Sequence, residues 1–419
     1  MRQKRRMAPV LPVPSTAPAA RALPPVAVTL ALAALLHTAF WRLVGADMTA
    51  YLVPWFDHIV ATGPIAAFAT PFSNYAPPYL YCLALASLFA GWLPAITLIK
   101  LVSVAGTGAL ALAIGHLLRR LGAASPARGA ALVFLLPSVA INASLLGQCD
   151  AFWAAACVMA VTAAIDRRHA TMLAWCGVAF AFKLQAVLVA PIFLALLIQR
   201  RVPIRLWLVA PLTTIALMLP AAAAGWPIAD LATVYLRQGT YFADLSRNAP
   251  NIWSIVQMLP IGDTPLLGLA LAMAIGATAA FTARFSAQPL HGRTVLAAAL
   301  LAMLVTAGLL PKMHDRYFFL ADILALALAV SAGDRRSWLI AALVQTGSVL
   351  ALFAYVSGIA GFAAIAAVPM LVATWRLARP LLQPAANDNP LLARVAGMTS
   401  SPEKPSLMLS TARFAAKVD

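Results

Sequence analysis

Long apolar runs alternate with short clusters of charge along most of this chain. Apolar stretches cover residues 26–44, 96–118, 129–146, 151–165, 170–182, 184–198, 206–224, 266–281, 294–310, 317–332, 337–355 and 359–375. A helix of roughly 20 apolar residues crosses a bilayer, so each run is read as a span. A further run at 79–90 is only about a dozen residues long, the length of a re-entrant or interfacial segment. If it spanned, every later basic loop would change sides, so it is assigned to the outer layer, packed against the bundle. The pattern predicts an all-α polytopic membrane helix bundle of about a dozen transmembrane helices. Its first outer loop, residues 45–95, is long and partly helical, with the aromatic and proline-rich segments YLVPWFDHI and PFSNYAPPYLY. Trp and Tyr favour that interfacial layer.

Composition agrees. Of 419 residues, 63% are hydrophobic and only 10% charged. Mean hydropathy is +0.87. A chain this apolar cannot cover itself with polar side chains, so lipid is its solvent. The net charge of +17 would suggest nucleic acid in a soluble protein, but no zinc-finger spacing or solvated basic helix supports that. The basic residues instead fall in alternate loops: Arg119 and Arg120, Arg167 and Arg168, Arg200 and Arg201, Arg284 with Arg293, Arg335 and Arg336, Arg376 with Arg379. All share the side of the basic start MRQKRRM, which the positive-inside rule makes cytoplasmic. Residues 1–25 then form a basic, Pro-rich cytoplasmic segment, 26–44 an uncleaved signal anchor, 26–379 the membrane domain and 380–419 a disordered cytoplasmic tail. Both termini are placed in the cytoplasm of a cell with an inner membrane. Cys82, Cys149, Cys157 and Cys176 form no metal-type pair and no disulfide framework.

The opposite loops gather the polar chemistry: Asp47 and Asp57; Asn142, Gln148 and Asp150; Lys183; Arg237, Tyr241, Asp244, Arg247, Asn248 and Asn251; and Lys312, His314, Asp315 and Arg316. They suggest one polar cavity opening at the outer face. The sole Glu is Glu403 in the tail, so carboxylate chemistry in the membrane domain rests on Asp. Ionisable groups at membrane depth are costly and point to function. Asp47, directly after the first span, suits either a helix-flanking cap or a general base for an acceptor hydroxyl. Asp150 in LLGQCDAFW suits an N-cap or, with Gln148, sugar hydroxyls. Lys183 suits snorkelling or a lipid phosphate. In PKMHDRYFF, Lys312, His314 and Arg316 offer three donors to phosphate oxygens, with Asp315 able to orient one. The pairs Asp57–His58 and His314–Asp315 match no recognised metal spacing.

The segments NYAPPYLYCLALASL, LLGQCDAFW, FAFKLQAVLVAP, LSRNAPNIWSI and LLPKMHDRYFF, in this order after an Asp behind the first span, resemble the GT-C superfamily of polyprenyl-phosphate-sugar-dependent glycosyltransferases. The likeness is greatest to the branch containing the second GPI mannosyltransferase and the dolichyl-phosphate-glucose glucosyltransferases. It runs from about residue 45 to 317, and GQCDAFW, FKLQA and KMHDRYFF are its specific parts. The resemblance implies inverting transfer of a mannose- or glucose-like hexose from a polyprenyl-phosphate donor to a lipid or glycan acceptor at the periplasmic face. It implies Asp47 as general base and Lys183, Lys312, His314 and Arg316 near the donor phosphate. Asp57, Gln148, Asp150, Asn248, Asn251 and Asp315 are candidates for sugar or acceptor contact. Asp315 stands where the family pattern has Glu. No cofactor is required, and a divalent metal has no sequence support. The competing readings are a lipid-linked sugar transporter or flippase, and a non-catalytic subunit of an envelope polysaccharide system.

Overall fold

The computed structural model describes residues 23–239, 244–260 and 263–382; the N-terminal segment, the tail from 383 and Tyr241 lie outside these. The first run forms α1 (Val26–Trp41). The first loop folds as α2 (Val53–Thr62) and α3 (Pro77–Ser87). There follow α4 (Ala95–Arg120), α5 (Pro126–Leu135), α6 (Pro137–Ala140), α7 (Asp150–Ile165), α8 (His169–Phe182) and α9 (Ala190–Gln199). Next come α10 (Ile204–Trp207), α11 (Val209–Ala224), α12 (Ile228–Gly239) and α13 (Ile252–Val256). The last five are α14 (Asp263–Ser286), α15 (Arg293–Leu309), α16 (Phe319–Ala332), α17 (Arg335–Ser357) and α18 (Gly361–Leu382). Five helical stretches are long and apolar enough to cross a membrane alone, α5 and the segment after it form one broken span, and six shorter apolar helices complete the set. The polytopic bundle expected from the apolar runs is the fold observed.

Two runs depart from simple helices. The run 129–146 breaks at Pro137, with a 55° bend between its halves. The proline ring pushes the preceding residue out of helical geometry, and Leu136 is extended at φ −64°, ψ 123°. The run 184–198 opens as a 3-10 turn, Leu184–Val189, after Lys183 has left the helix at φ −160°, ψ 137°. Near Lys183 lies a two-residue parallel β-pair that the apolar pattern does not anticipate: β1 (Ser246–Arg247) against β2 (Met313–His314).

The centre is built on α7 and α16. Every residue from Phe319 to Ala329 of α16 is buried; a helix apolar on nearly all faces belongs inside. Helix α7 packs against α4 and α8, burying Ala154, Ala156, Ala160 and Ala164; small side chains let membrane helices approach closely. On α11 and α14, Leu212, Ile215, Leu219, Leu269 and Ile275 point outward, as lipid-facing positions do. The run 79–90 becomes α3, whose Tyr79, Leu80 and Leu83 are buried against Phe56, Ile59 and Ile99. All four cysteines are free thiols.

The alternate basic loops meet at one end. Arg120 pairs with Asp166 at 2.7 Å, Arg167 reaches the His291 ring at 3.1 Å, and Arg200 donates to the Ala164 carbonyl at 2.7 Å. Arg293 donates to the Ser331 carbonyl and Arg336 to that of Arg376. The loops carrying Asp47, Gln148, Lys183, Asn248 and Arg316 meet at the other, around one cavity.

Candidate functional site

Two π-helical turns lie near that cavity: Met48–Leu52, directly after Asp47, whose Tyr51 and Leu52 line it, and Ile141–Leu145, which ends three residues before Gln148. Single π turns inside helical proteins tend to mark functional sites. The two interlock through glycines. A Cβ on Gly45 would fall 2.7 Å from Leu146 Cδ2, and one on Gly147, which has φ +62°, would fall 2.3 Å from Met48 Cε. A Cβ at either position would displace the end of a neighbouring side chain, and at Gly147 the left-handed backbone favours glycine besides.

Two ion pairs stand above this junction. Arg316 Nη1 lies 2.8 Å from Asp47 Oδ2, with side chains 10% and 24% exposed. Lys183 Nζ lies 2.6 Å from Asp150 Oδ1, with side chains 6% and 0% exposed. Asp150 also accepts from Asn142 Nδ2 and from Trp153 Nε1, both at 2.8 Å. A buried carboxylate needs this many partners to remain charged. Lys183 sits 5.5 Å from the centre of the Tyr75 ring, and the Tyr75 hydroxyl donates to Gln148 Oε1 at 3.1 Å. Burial, only partly offset by Lys183, pushes the Tyr75 phenol up to about 12, so it stays a donor. The Asp47 backbone N–H donates to the Tyr355 hydroxyl at 3.3 Å.

The β-pair clips the loop after α12 onto the loop before α16. Lys312 N donates to the Leu245 carbonyl at 2.8 Å and Asp315 N to that of Arg247 at 3.1 Å. Lys312 and Asn248 both take the left-handed conformation, at φ 60° and 58°. This clip turns His314 and Arg316 toward the cavity. Burial, reinforced by Arg316, Arg247 and Lys183, lowers His314 to about 3; its ring is a neutral hydrogen-bonding group, not a cation. Burial raises Asp315 to about 6, against the pull of Arg316 and with help from Asp47.

The cavity has a volume of about 610 Å³. Its charged wall is Asp47, Lys183, Arg247, Lys312 and Arg316. A neutral polar arm holds Asn74, Gln148, Gln185 and Gln238, and Leu184, Val187, Leu188, Leu271 and Leu310 make an apolar flank. Among the described residues no three His, Cys, Asp or Glu side chains come together as a metal-ligating group.

No protein-family model and no curated protein matches the chain. Among solved structures, its fold matches that of ArnT from Cupriavidus metallidurans, in a crystal structure bound to undecaprenyl phosphate. The TM-score is 0.50 at 15% identity, over 92% of this chain and 83% of that one. This chain has an ArnT-like polytopic membrane fold. At that identity the likeness is one of fold.

Within this ArnT-like fold, Asp47, Gln148, Lys183, Asn248, Lys312, His314, Asp315 and Arg316 all line the cavity. Three other sequence candidates do not. Asp57 is exposed on α2, which turns Trp55, Phe56 and Ile59 inward instead. Asp150 lies behind Lys183 and does not cap α7, whose N-cap is Cys149. Asn251 caps α13 by accepting from Ser254 N and donates to the Leu310 carbonyl at 3.3 Å. Lys183 and Arg316, which have no acid beside Lys183 and only Asp315 beside Arg316 in sequence, are each paired with a distant Asp. Tyr75, Tyr355, Asn74 and Gln238 were not singled out from sequence. Their residue types are common in an interfacial layer, and only the NYAPPY segment hinted at the first two of that loop, Asn74 and Tyr75.

Proposed function

We propose that this chain is a membrane glycosyltransferase that moves a mannose- or glucose-like hexose from a polyprenyl-phosphate donor to a lipid or glycan acceptor. The reading is carried by two nearly buried cations, Lys183 and Arg316, in one cavity that is also lined by the apolar side chains of Leu184, Val187, Leu188, Leu271 and Leu310. A prenyl phosphate needs that combination: fixed positive charge for the headgroup and an apolar path for the chain, at the edge of the bilayer. The undecaprenyl phosphate bound to ArnT supports a donor of this class. The alternate basic loops, gathered at the far end, support a cavity at the periplasmic face of an inner membrane by the positive-inside rule.

In the proposed reaction the acceptor hydroxyl oxygen attacks the anomeric carbon. The bond from that carbon to the phosphate oxygen breaks, and the polyprenyl phosphate leaves with the electron pair. Asp47 takes the hydroxyl proton. Attack opposite the leaving group inverts the anomeric centre. Charge develops on the phosphate, and preorganised donors aimed at it give the stabilisation: Lys183 and Arg316 as cations, Lys312 as a third, and His314 as a neutral donor. The amide arm of Asn74, Gln148 and Gln238 suits sugar hydroxyls, with Asn248 at its edge. The phosphate is already a good leaving group, so the scheme asks nothing of a metal.

The test is a transfer assay on purified protein with synthetic polyprenyl-phosphate hexoses and candidate lipid and glycan acceptors. A new glycosidic bond of inverted configuration is expected. Movement of the lipid-linked sugar across a proteoliposome membrane without any new bond would overturn the proposal in favour of a transporter.

A further inference from the structure

Behind Arg316, on the side away from the cavity, lies a second chamber of about 10 Å³. Asp315, Arg316, Asp322, Ser348 and Asn142 line it. Asp322 comes from the first turn of α16, where it is the only charged residue. Ser348 comes from α17 and Asn142 from the π turn. Asp315, Asp322 and Ser348 are 2%, 3% and 3% exposed. Asp315 Oδ2, both Asp322 carboxyl oxygens, Ser348 Oγ and Arg316 Nε have no hydrogen-bond partner within 3.5 Å, and the hydroxyls of Ser348 and Ser138 are the side chains that approach Asp322. Such clustering is not expected of packing alone. Buried polar groups in a bilayer-spanning bundle are satisfied within it, and an ionisable side chain there marks a role.

The donor and acceptor inventory fits one small guest that serves four of these five atoms. Arg316 Nε–H can only donate, a carboxylate oxygen accepts, and a serine hydroxyl does both. A water accepts two hydrogen bonds and donates two. It can accept from Arg316 Nε and Ser348 Oγ, and donate to Asp315 Oδ2 and one Asp322 oxygen. A chamber of this size is about the smallest that admits a water. We propose that the chamber is a site for one structural water, and that Asp322 is a positioning residue which acts through that water on the Arg316 guanidinium.

The inference rests on the reading of Arg316 as a donor-phosphate ligand, and it adds what keeps that ligand aimed. Nη1 is held by Asp47 in this structure. When a phosphate draws the fork toward itself, that hold loosens, and Nε becomes the remaining fixed point of the guanidinium plane. A two-point grip on phosphate depends on that plane. Asn142, on the same chamber wall, also donates to Asp150, the partner of Lys183. One buried polar junction therefore backs both cations.

The experiment measures binding of a polyprenyl monophosphate to the purified full chain in nanodiscs, with donor KM and kcat alongside, for Asp322→Leu, Asp322→Asn, Arg316→Ala and the double variant Arg316→Ala/Asp322→Leu. Loss of a hydrogen-bonded acceptor behind a charged ligand predicts a Kd and donor KM about tenfold higher in Asp322→Leu, with kcat within about threefold of wild type. Asp322→Asn keeps an acceptor and should fall between the two. In the Arg316→Ala background, Asp322→Leu should change nothing further. A folded Asp322→Leu protein with wild-type Kd overturns the proposal. So does an equal effect with and without Arg316, which would make Asp322 merely structural. If Asp322→Leu does not fold, Asp322→Asn decides: a raised Kd supports the proposal, and an unchanged Kd overturns it. Wild-type binding by Arg316→Ala would be a different failure, removing Arg316 from the phosphate site and this proposal with it.

Discussion

Arg316 holds Asp47: the guanidinium Nη1 and the carboxylate Oδ2 are 2.8 Å apart. The group proposed to take a proton is thus paired with a group proposed to take the donor phosphate. A phosphate that draws Arg316 away would free Asp47 for the acceptor.

This exchange predicts an order of binding, donor before acceptor. In steady-state kinetics a non-reacting acceptor analogue should be uncompetitive against donor, and the product polyprenyl phosphate should be competitive against donor. An acceptor analogue that binds the donor-free protein, and so inhibits noncompetitively or competitively against donor, would contradict the exchange.

Lys183 and Asp150 form the deeper pair. Removing one member of a buried ion pair costs about 3–5 kcal/mol because the other is left uncompensated. Lys183→Met and Asp150→Leu should each lower the thermal midpoint, and the double variant should recover much of the loss. Transfer should be lost or reduced in all three, because each lacks a fixed cation at the phosphate. A double variant that is both stable and fully active would show that the pair is structural only.

Much of the fold was legible because crossing a bilayer demands long apolar runs, and every run is helical over most of its length. The bend at Pro137 and the extended Lys183 were not, because broken helices read as apolar as whole ones. The cations of KMHDR and Lys183 stood out by their cost in lipid. Their carboxylate partners did not, since the pairs Asp47–Arg316 and Asp150–Lys183 join remote segments and sequence spacing carries no sign of them. Asp57 and Asp47 look alike in sequence. The turn of α2 separates them, burying Trp55, Phe56 and Ile59 and leaving Asp57 outside. Asn251 looked like a polar site residue and is instead a helix cap, a role asparagine fills readily.

The Asp315 carboxyl, raised to about 6 by burial, gives the site a pH dependence. Its proton is held more tightly in the folded chain than by an ordinary Asp carboxyl, which titrates at 3.8. Its contribution to stability is therefore complete below that value and lost as pH rises through about 6. Above that pH it adds a negative charge beside Arg316, where Asp47 already lies, and competes with the donor phosphate. A sugar phosphodiester keeps a single charge across this range, so donor KM should rise several-fold from about pH 5 to 7.5. Asp315→Asn should give a flat, low donor KM over the same range. A wild-type KM that does not change, or an Asp315→Asn profile that still does, would contradict this account.

The central claim is that Asp47 is the general base. Asp47→Asn keeps the size of the side chain but cannot take the acceptor proton. Single-turnover transfer with saturating polyprenyl-phosphate hexose and acceptor should fall by about two to four orders of magnitude, the scale of a positioned base. Binding of a polyprenyl phosphate should survive or tighten, since Arg316 loses its competing carboxylate. A folded Asp47→Asn protein that transfers sugar at a near-normal single-turnover rate would contradict the account.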